Sequence, residues 1–211
     1  MKILYEDGFL LVCEKPSDVL SEPGENSVFS LLKTETGRDY FPVHRLDRGT
    51  GGCFCVAKTP QAAAMLGETI RSGLWQKEYL CVVSGIPEAP EGTWEDLLYH
   101  DARANKTYVV KKERRGVRQA CLSYRVLATA EENGKKTALV RVELHTGRTH
   151  QIRVQFASRK HPLLGDGKYG SRENRCRPAL WCRRISFPHP FTETWVETVS
   201  EPPAGFPWSL F

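Results

Sequence analysis

The sequence has no long apolar run. Nowhere in its 211 residues is there a stretch near the ~18 apolar residues that a membrane-spanning helix requires. Residues 1–9 contain one lysine followed by acids, a pattern typical of neither a secretory signal nor a transit peptide. The content of 40% hydrophobic and 26% charged residues is ordinary for a globular protein. We therefore expect no membrane partner and a single domain, 1–211, which can divide into two subdomains.

Cysteine pairs with metal-binding spacing are also absent. The seven cysteines include no C-x-x-C pair, and the six histidines are dispersed along the chain. This spacing argues against a structural metal site. Nearly all the cysteines lie among apolar neighbours, as Cys81 does, which favours buried, reduced thiols and a cytoplasmic location.

Several catalytic motifs are missing as well. There is no G-x-S-x-G nucleophile motif, and the segment from Gly165 to Lys168 lacks the length and context of a phosphate-binding loop. A two-carboxylate hydrolase would need a second well-placed acid, and nothing in the sequence marks one. These absences leave Asp47, described below, as a lone candidate acid.

Hydrophobic periodicity predicts a β-rich chain with few helices. Hairpins are expected around Asp7-Gly8 and Asn133-Gly134. Helices are expected from Val28 to Thr36, between Pro60 and Gly73, and around Ile152. Further strands are expected at 53–57, 76–84, 107–110, 120–128, 137–144 and 180–187, whereas 86–96 resembles a surface excursion and the tail is rich in proline and aromatic residues. The expected fold class is α+β, or mixed α/β, with a largely antiparallel sheet flanked by helices and loops.

Residues 43–52 place one carboxylate between two arginines. Asp47 has Arg45 and Arg48 on either side, three glycines follow, and an apolar strand pattern begins at once. Glycines this close together suit a tight turn or a close approach to a ligand. Asp47 would then lie on a loop anchored by the core, where functional residues are often found. The alternative is a structural aspartate that caps a turn or pairs with either arginine.

A second polar cluster occupies residues 144–154. Its arginines stand beside Ile152 and Phe156, and an arginine half-buried among apolar side chains nearly always has an anionic partner. Pairing Arg148 with Asp47 would keep the carboxylate ionised and oriented. Alternatively, Arg148 binds a carbonyl or a phosphate.

The net charge of +5 conceals two basic segments. Residues 103–118 contain seven Lys or Arg against one acid, and residues 141–184 contain eleven against three. The rest of the chain is therefore acidic. Positive charge concentrated in two segments favours binding to a polyanion, most simply nucleic acid. The alternative is that the two segments are only solvated protein surface.

Several blocks, in order, resemble the RluA-type pseudouridine synthases. They cover nearly the whole chain and comprise Ile3 to Pro16, His44-Arg45-Leu46-Asp47, Thr50-x-Gly52, Lys77-x-Tyr79 with Gly85, Thr146 to Arg153, Gly165-Asp166 with Tyr169-Gly170, and Leu180 to Pro190. The resemblance implies the pseudouridine synthase catalytic fold, with an RNA-binding cleft if two subdomains form. The implied reaction breaks the glycosidic bond of uridine, turns the bound uracil and forms a carbon–carbon bond to the sugar, without a cofactor or metal. The target base must leave the helical stack.

The resemblance also implies roles for individual residues. Asp47 is the expected nucleophile or electrostatic partner of the glycosidic carbon, Arg148 its ion-pair partner, and Tyr79 the tyrosine that packs against the base. Arg45 would fill the space that the flipped base vacates. The expected RNA-contacting residues are His44, Arg45, Arg48, Thr50, Ile152 and Lys168. Without the resemblance, Tyr79 and Ile152 would be ordinary core residues, and Arg45 and Arg48 solvated side chains.

Two departures from the family pattern stand out. Gly51 occupies the place where the family usually has serine, and losing that hydroxyl would remove a hydrogen bond worth about 1 kcal/mol. We also expect that the small N-terminal RNA-binding module of many relatives is not used here, which would increase the importance of the two basic segments. We expect a monomer that modifies ribosomal or transfer RNA; the alternative is a catalytically silent RNA-binding or chaperone-like protein on the same fold.

Overall fold

The computed structural model describes residues 1–211, which form eleven strands and three α-helices. The strands are β1 (Ile3–Glu6), β2 (Leu10–Lys15), β3 (Phe41–Pro42), β4 (Gly51–Ala57), β5 (Gln76–Ser84), β6 (Glu91–Asp101), β7 (Lys106–Val110), β8 (Val117–Glu132), β9 (Lys135–Leu144), β10 (Leu180–Pro188) and β11 (Trp195–Val199). The helices are α1 (Val28–Thr36), α2 (Pro60–Arg71) and α3 (Gln151–Ser158). None of these helices is both long enough and apolar enough to cross a membrane.

The chain divides into two compact units. The first unit comprises residues 1–78 and 181–202, and the second comprises 79–180 and 203–211. In the first unit the strand order is β1-β2-β4-β10, with β11 paired to β10 and β3 paired to β4. The pairings are antiparallel except that of β4 with β10, which is parallel. The predicted α+β class with a largely antiparallel sheet is confirmed.

Burial and capping explain the elements of the first unit. All seven residues of β4 are buried, as expected of a central strand without alternation. Helix α1 begins at a capping box formed by Ser27 and Ser30, and the left-handed Gly37 ends it. Helix α2 begins with the Thr59 side chain accepting from the Ala62 N–H, one residue before Pro60.

The second unit is a five-stranded sheet with α3 packed against it, and the pairings of β9 with β8, β8 with β6 and β6 with β7 are antiparallel. Its strands follow the order β5-β9-β8-β6-β7, and Asn133-Gly134, both with positive φ, form the turn between β8 and β9. Leu98 and Ala120 pack against Val154 of α3. A second apolar cluster joins Val82, Leu164 and Ala179 to the C-terminal Phe206 and Trp208.

The predicted elements agree with the structure except at 86–96 and at strands β3 and β11, which were not predicted. The strand prediction for 76–84, both α1 and α2, and both hairpins are confirmed. The prediction of a surface excursion at 86–96 is wrong, because residues from Glu91 onwards form strand β6. Trp94 of this strand packs against Tyr124 and Phe156. Strand β11 was not predicted, although alternate residues of it are buried.

Candidate active site

Asp47 lies on a short loop between β3 and β4 in the first unit. The Thr50 N–H donates to the Asp47 carbonyl at 2.9 Å and closes a turn immediately before β4. The Asp47 side chain is partly buried, whereas Arg45 and Arg48 on either side are exposed. The Asp47 carboxylate thus lies on a hydrogen-bonded turn that directly precedes the fully buried strand β4.

The buried side chain of Lys15 binds the backbone of this turn. The residue is fully buried at the end of β2, and its Nζ donates to three carbonyl oxygens, those of Pro16 at 3.1 Å, Arg48 at 3.2 Å and Thr50 at 2.7 Å. Burial lowers the pKa of the Lys15 ammonium to about 8, and the nearby acids Asp18 and Asp47 partly oppose this shift. The sequence resemblance included Lys15 only as the end of a hairpin, and its part in the site was missed.

Ser21 fixes the other side of the Asp47 loop. Its hydroxyl donates to the Leu46 carbonyl at 2.8 Å and accepts from the Leu46 N–H at 3.1 Å. Leu46 itself is buried. The backbone is therefore bound both before and after Asp47, and no local sequence signal marked Ser21 as the residue responsible.

The glycines that follow the loop are required by a neighbouring strand. A Cβ on Gly51 would overlap the Trp181 indole ring, and a Cβ on Gly52, whose φ is +108°, would overlap the Cys182 carbonyl. Both contacts arise from the parallel pairing of β4 with β10. Trp181 also donates from Nε1 to the Ser200 carbonyl at 2.8 Å. The space beside Gly51 is thus occupied by a fixed tryptophan ring.

His44 is coupled to Lys77 within the first unit. The Cys55 N–H donates to His44 Nε2 at 3.0 Å, so the neutral ring carries its proton on Nδ1, which lies 3.3 Å from Lys77 Nζ. Burial lowers the pKa of both side chains, that of His44 well below its usual range. Both ring nitrogens of the histidine have partners inside the protein.

The two arginines beside Asp47 make weak surface contacts. Arg45 pairs with Glu22 at 2.7 Å, and both side chains are about two-thirds exposed, so the pair contributes at most about 1 kcal/mol. Arg48 donates from Nε to the Asp18 carbonyl at 3.3 Å. Arg45 is therefore bound to Glu22 in this structure, and that exposed pair costs little to break.

Tyr79 and Ile152 are buried in the second unit. Tyr79 lies on β5 and is 5% exposed, and Ile152 lies in the first turn of α3 and is 3% exposed. Lys168 is exposed and donates to the Asn105 carbonyl at 2.9 Å. Their predicted contacts with RNA stay predictions.

Gln151 holds the segment that carries Arg148. Its Oε1 accepts from the Thr146 hydroxyl at 2.8 Å and from the Arg148 N–H at 3.0 Å, and its Nε2 donates to the Cys121 carbonyl at 3.1 Å. The Arg148 side chain is exposed and donates from Nε to the Gln119 carbonyl at 2.8 Å. The expectation that Arg148 is half-buried is wrong. It binds a carbonyl, as the alternative held, while its pairing with Asp47 stays a prediction.

Arg148 borders a basic depression on the second unit. The depression has a volume of about 530 Å³, and Arg114, Arg118 and Arg148 line it together with a single acid, Glu113. The Arg114 guanidinium lies over the Tyr99 ring, 4.6 Å from its centroid. The first basic segment thus contributes two arginines to the surroundings of Arg148.

The buried arginine of this region is Arg153. Its guanidinium donates to both carboxylate oxygens of Asp166, at 2.6 and 2.9 Å, and the pair is shielded from solvent. The Tyr169 ring lies beneath it, and the Tyr169 hydroxyl lies 2.9 Å from His150 Nδ1. Apolar spacing correctly indicated a buried arginine in this segment, but the partner, thirteen residues away, was missed.

The structure contains no group of three His, Cys, Asp or Glu side chains that could hold a metal ion. All seven cysteines are free, five of them buried, as predicted.

Comparison with known proteins gives consistent results. A family model described as RNA pseudouridylate synthase matches residues 9–158. The dual-specificity RNA pseudouridine synthase RluA of Escherichia coli O157:H7 is 36% identical, over 89% of this chain and 87% of that protein. The tRNA pseudouridine synthase C of Haemophilus influenzae is 32% identical, over 92% of this chain and 89% of the relative.

A solved structure is similar along the full chain. Human RNA pseudouridylate synthase domain containing 1 superposes with a TM-score of 0.84 at 25% identity, covering 100% of this chain and 86% of the human one.

Proposed function

Since the chain belongs to the RluA-type RNA pseudouridine synthases, whose reaction isomerises uridine in RNA to pseudouridine, we propose that Asp47 is its catalytic carboxylate. One observation carries this assignment. The loop around Asp47 is bound on both sides, by Lys15 and by Ser21, while its carboxylate remains partly exposed. A carboxylate on a fixed loop is held in position before the substrate binds. Such prior positioning lowers the entropic cost of reaching the transition state.

Tyr79, Ile152 and Arg148, all in the second unit, are the other proposed site residues. Tyr79 and Ile152 are buried and apolar-sided, which suits contact with a flipped uracil. Arg148 uses Nε on a carbonyl, and its Nη groups are the donors that would bind the carboxylate. We propose that all three residues take part in the reaction, as the family resemblance implies.

Arg45 is the proposed replacement for the flipped base. Its exposed pair with Glu22 is weak, so the guanidinium can exchange that partner for a position between RNA bases. Arg48 and Lys168, also exposed, are proposed phosphate contacts, and His44 and Thr50 would act from beside the loop.

The substrate is proposed to be transfer or ribosomal RNA. The name of the Haemophilus influenzae relative supports transfer RNA. The free cysteines support a reducing, cytoplasmic location, and we propose that the protein acts as a monomer.

The direct test is turnover on unmodified RNA. The protein is incubated with in vitro transcribed transfer and ribosomal RNA, and pseudouridine is mapped at nucleotide resolution. We expect modification of defined uridines without added metal or cofactor. Absence of pseudouridine in both RNA classes, with RNA binding retained, would favour the alternative, a silent RNA-binding protein on this fold.

The residue that had encouraged this alternative is Gly51. The Trp181 ring fills the space where a side chain at position 51 would lie. A glycine at this position therefore fits the neighbouring strand and leaves no gap beside the loop. This favours the enzyme over the silent binder.

A further inference from the structure

The second unit contains a cavity that none of the proposed catalytic residues lines. Its volume is about 470 Å³, within the range that holds a small organic ligand, and Leu164 and Phe206 form part of an apolar floor. Exposed cations surround this floor: Lys135, Lys136, Lys160 and Arg172.

Arg175 pairs with both acids of the cavity and offsets one of their two negative charges. Its guanidinium pairs with Glu132 at 2.6 Å and with Glu173 at 2.9 Å, and it lies over the Phe206 ring, 3.8 Å from the centroid. Hydrogen bonds from Arg175 hold the pKa of Glu173 at about 2, so the three charges remain locked together. The four surrounding cations therefore keep an excess of positive charge over the apolar floor.

Lys160 occupies a backbone conformation that favours glycine. Its φ is +67°, directly beyond the end of α3, where a glycine commonly terminates a helix. A lysine at this position carries a conformational cost, and its side chain lines the cavity. This outlier points to a use for the ammonium group that offsets the cost.

We propose that this cavity binds an unpaired nucleotide of the substrate RNA, other than the target uridine. The base would lie against Leu164 and Phe206, and the flanking phosphates would contact Lys136, Lys160 and Arg172. An apolar floor ringed by cations matches the two halves of a nucleotide, a flat base and an anionic backbone. The proposal rests on the proposed function for the identity of the RNA, and it adds a recognition site away from the Asp47 loop.

The test uses the double variant Lys136→Ala/Lys160→Gly. Glycine suits the backbone at position 160, so we expect a melting temperature within about 2 °C of the wild type. The matched control, Lys33→Ala/Arg38→Ala, removes two exposed cations from the first unit. Affinity for unmodified RNA is measured by titration at several salt concentrations for all three proteins.

We expect the double variant to bind RNA about tenfold more weakly and its salt slope to fall by about 1.4, the value for two lost phosphate contacts on a single strand. The control should stay close to the wild type in both quantities. Abasic substitution at one position outside the target uridine should weaken binding by the wild type, because it removes the base that contacts Leu164 and Phe206. An unchanged affinity and slope, or no such abasic position, would overturn the proposal.

Two further readouts separate this proposal from the proposed function. The single-turnover rate at saturating RNA should be the same for the double variant and the wild type, because the cavity contributes binding and not chemistry. If the wild type makes no pseudouridine, the proposed function fails while the binding measurements still decide the cavity. Micromolar binding of free uridine monophosphate without RNA would instead identify a small-molecule site and overturn the RNA assignment.

Discussion

Lys15 is a charged side chain without solvent exposure. Three carbonyls surround its ammonium, two of them from the turn that carries Asp47. An ammonium has three N–H donors, whereas a neutral amine has two and is the weaker donor. Deprotonation must therefore release or weaken a bond that holds the Asp47 loop.

The protonation of Lys15 predicts an alkaline loss of activity. Because the pKa of Lys15 is about 8, turnover should decline above that pH. Lys15→Arg, which stays charged, should keep its activity to a higher pH, and the comparison is made from pH–rate profiles under single-turnover conditions. Identical alkaline limbs in the two proteins would remove Lys15 from the account.

The contribution of Lys15 to the free energy of unfolding should instead increase as the pH rises. The pKa of Lys15 is lowered from 10.5, so between about pH 8 and 10.5 the unfolded chain binds more protons than the folded one. This group alone then makes unfolding less favourable as the pH rises through that window. Denaturant titrations across the window separate a loss of activity at Lys15 from general alkaline unfolding.

Arg45 offers a residue-level test of base replacement. Arg45→Ala should lower kcat/KM by more than tenfold while changing the free energy of unfolding by less than about 0.5 kcal/mol, because its pair with Glu22 is exposed. The matched control is Arg71→Ala, which breaks another exposed arginine–glutamate pair, with Glu68. Equal activity of the two variants would contradict the role of Arg45.

At the scale of elements, the pairing of β4 with β10 determines which residues can follow the Asp47 loop. Trp181 of β10 lies where a side chain at position 51 would project. The sequence indicated a tight turn at these glycines, but the reason is a parallel strand 130 residues later. Pairing between distant segments cannot be deduced from local spacing.

Restoring the family's usual serine should therefore harm this protein. Gly51→Ser is expected to reduce the free energy of unfolding by about 1–3 kcal/mol, because the Trp181 ring must move. In the Trp181→Leu background the same substitution should cost markedly less, as a double-mutant cycle by denaturant titration would show. Additive effects of the two substitutions would mean that the ring and the serine do not compete.

The elements that were predicted correctly are those marked by signals close together in the sequence. Capping residues and turn glycines marked α1, α2 and the Asn133-Gly134 hairpin because those signals are close in sequence. Strand β6 was missed because its acids and glycine suggested a loop, while its burial depends on Trp94 packing under α3. Tertiary packing overrode local propensity there.

At the scale of the whole molecule, counting charges overstated the second basic segment. Many arginines of 141–184 pair with acids, most of which lie outside the segment: Arg153 with Asp166, Arg159 with Asp96, Arg175 with Glu132 and Glu173, Arg183 with Glu78 and Glu201, and Arg184 with Glu197. The sequence shows the sign of a segment but not which charges are already neutralised. The cations that remain around the 470 Å³ cavity are the better guide to RNA contacts.

Contiguity also decides which site residues a sequence can suggest. Contiguous family motifs led to the proposal of Asp47, Tyr79 and Arg148, whose roles stay predictions. They did not identify Lys15 and Ser21 as the supports of the loop, because those bonds join residues 25 to 35 positions apart.

The most direct measurement of the central claim is turnover by Asp47→Asn. The substitution keeps the shape of the side chain and removes its charge, and Asp39→Asn, at an exposed acid paired with Lys33, is the matched control. We expect Asp47→Asn to form no detectable pseudouridine in RNA that the wild type modifies, with RNA affinity and melting temperature unchanged, and Asp39→Asn to remain fully active. Wild-type turnover by Asp47→Asn would contradict the assignment of the catalytic carboxylate.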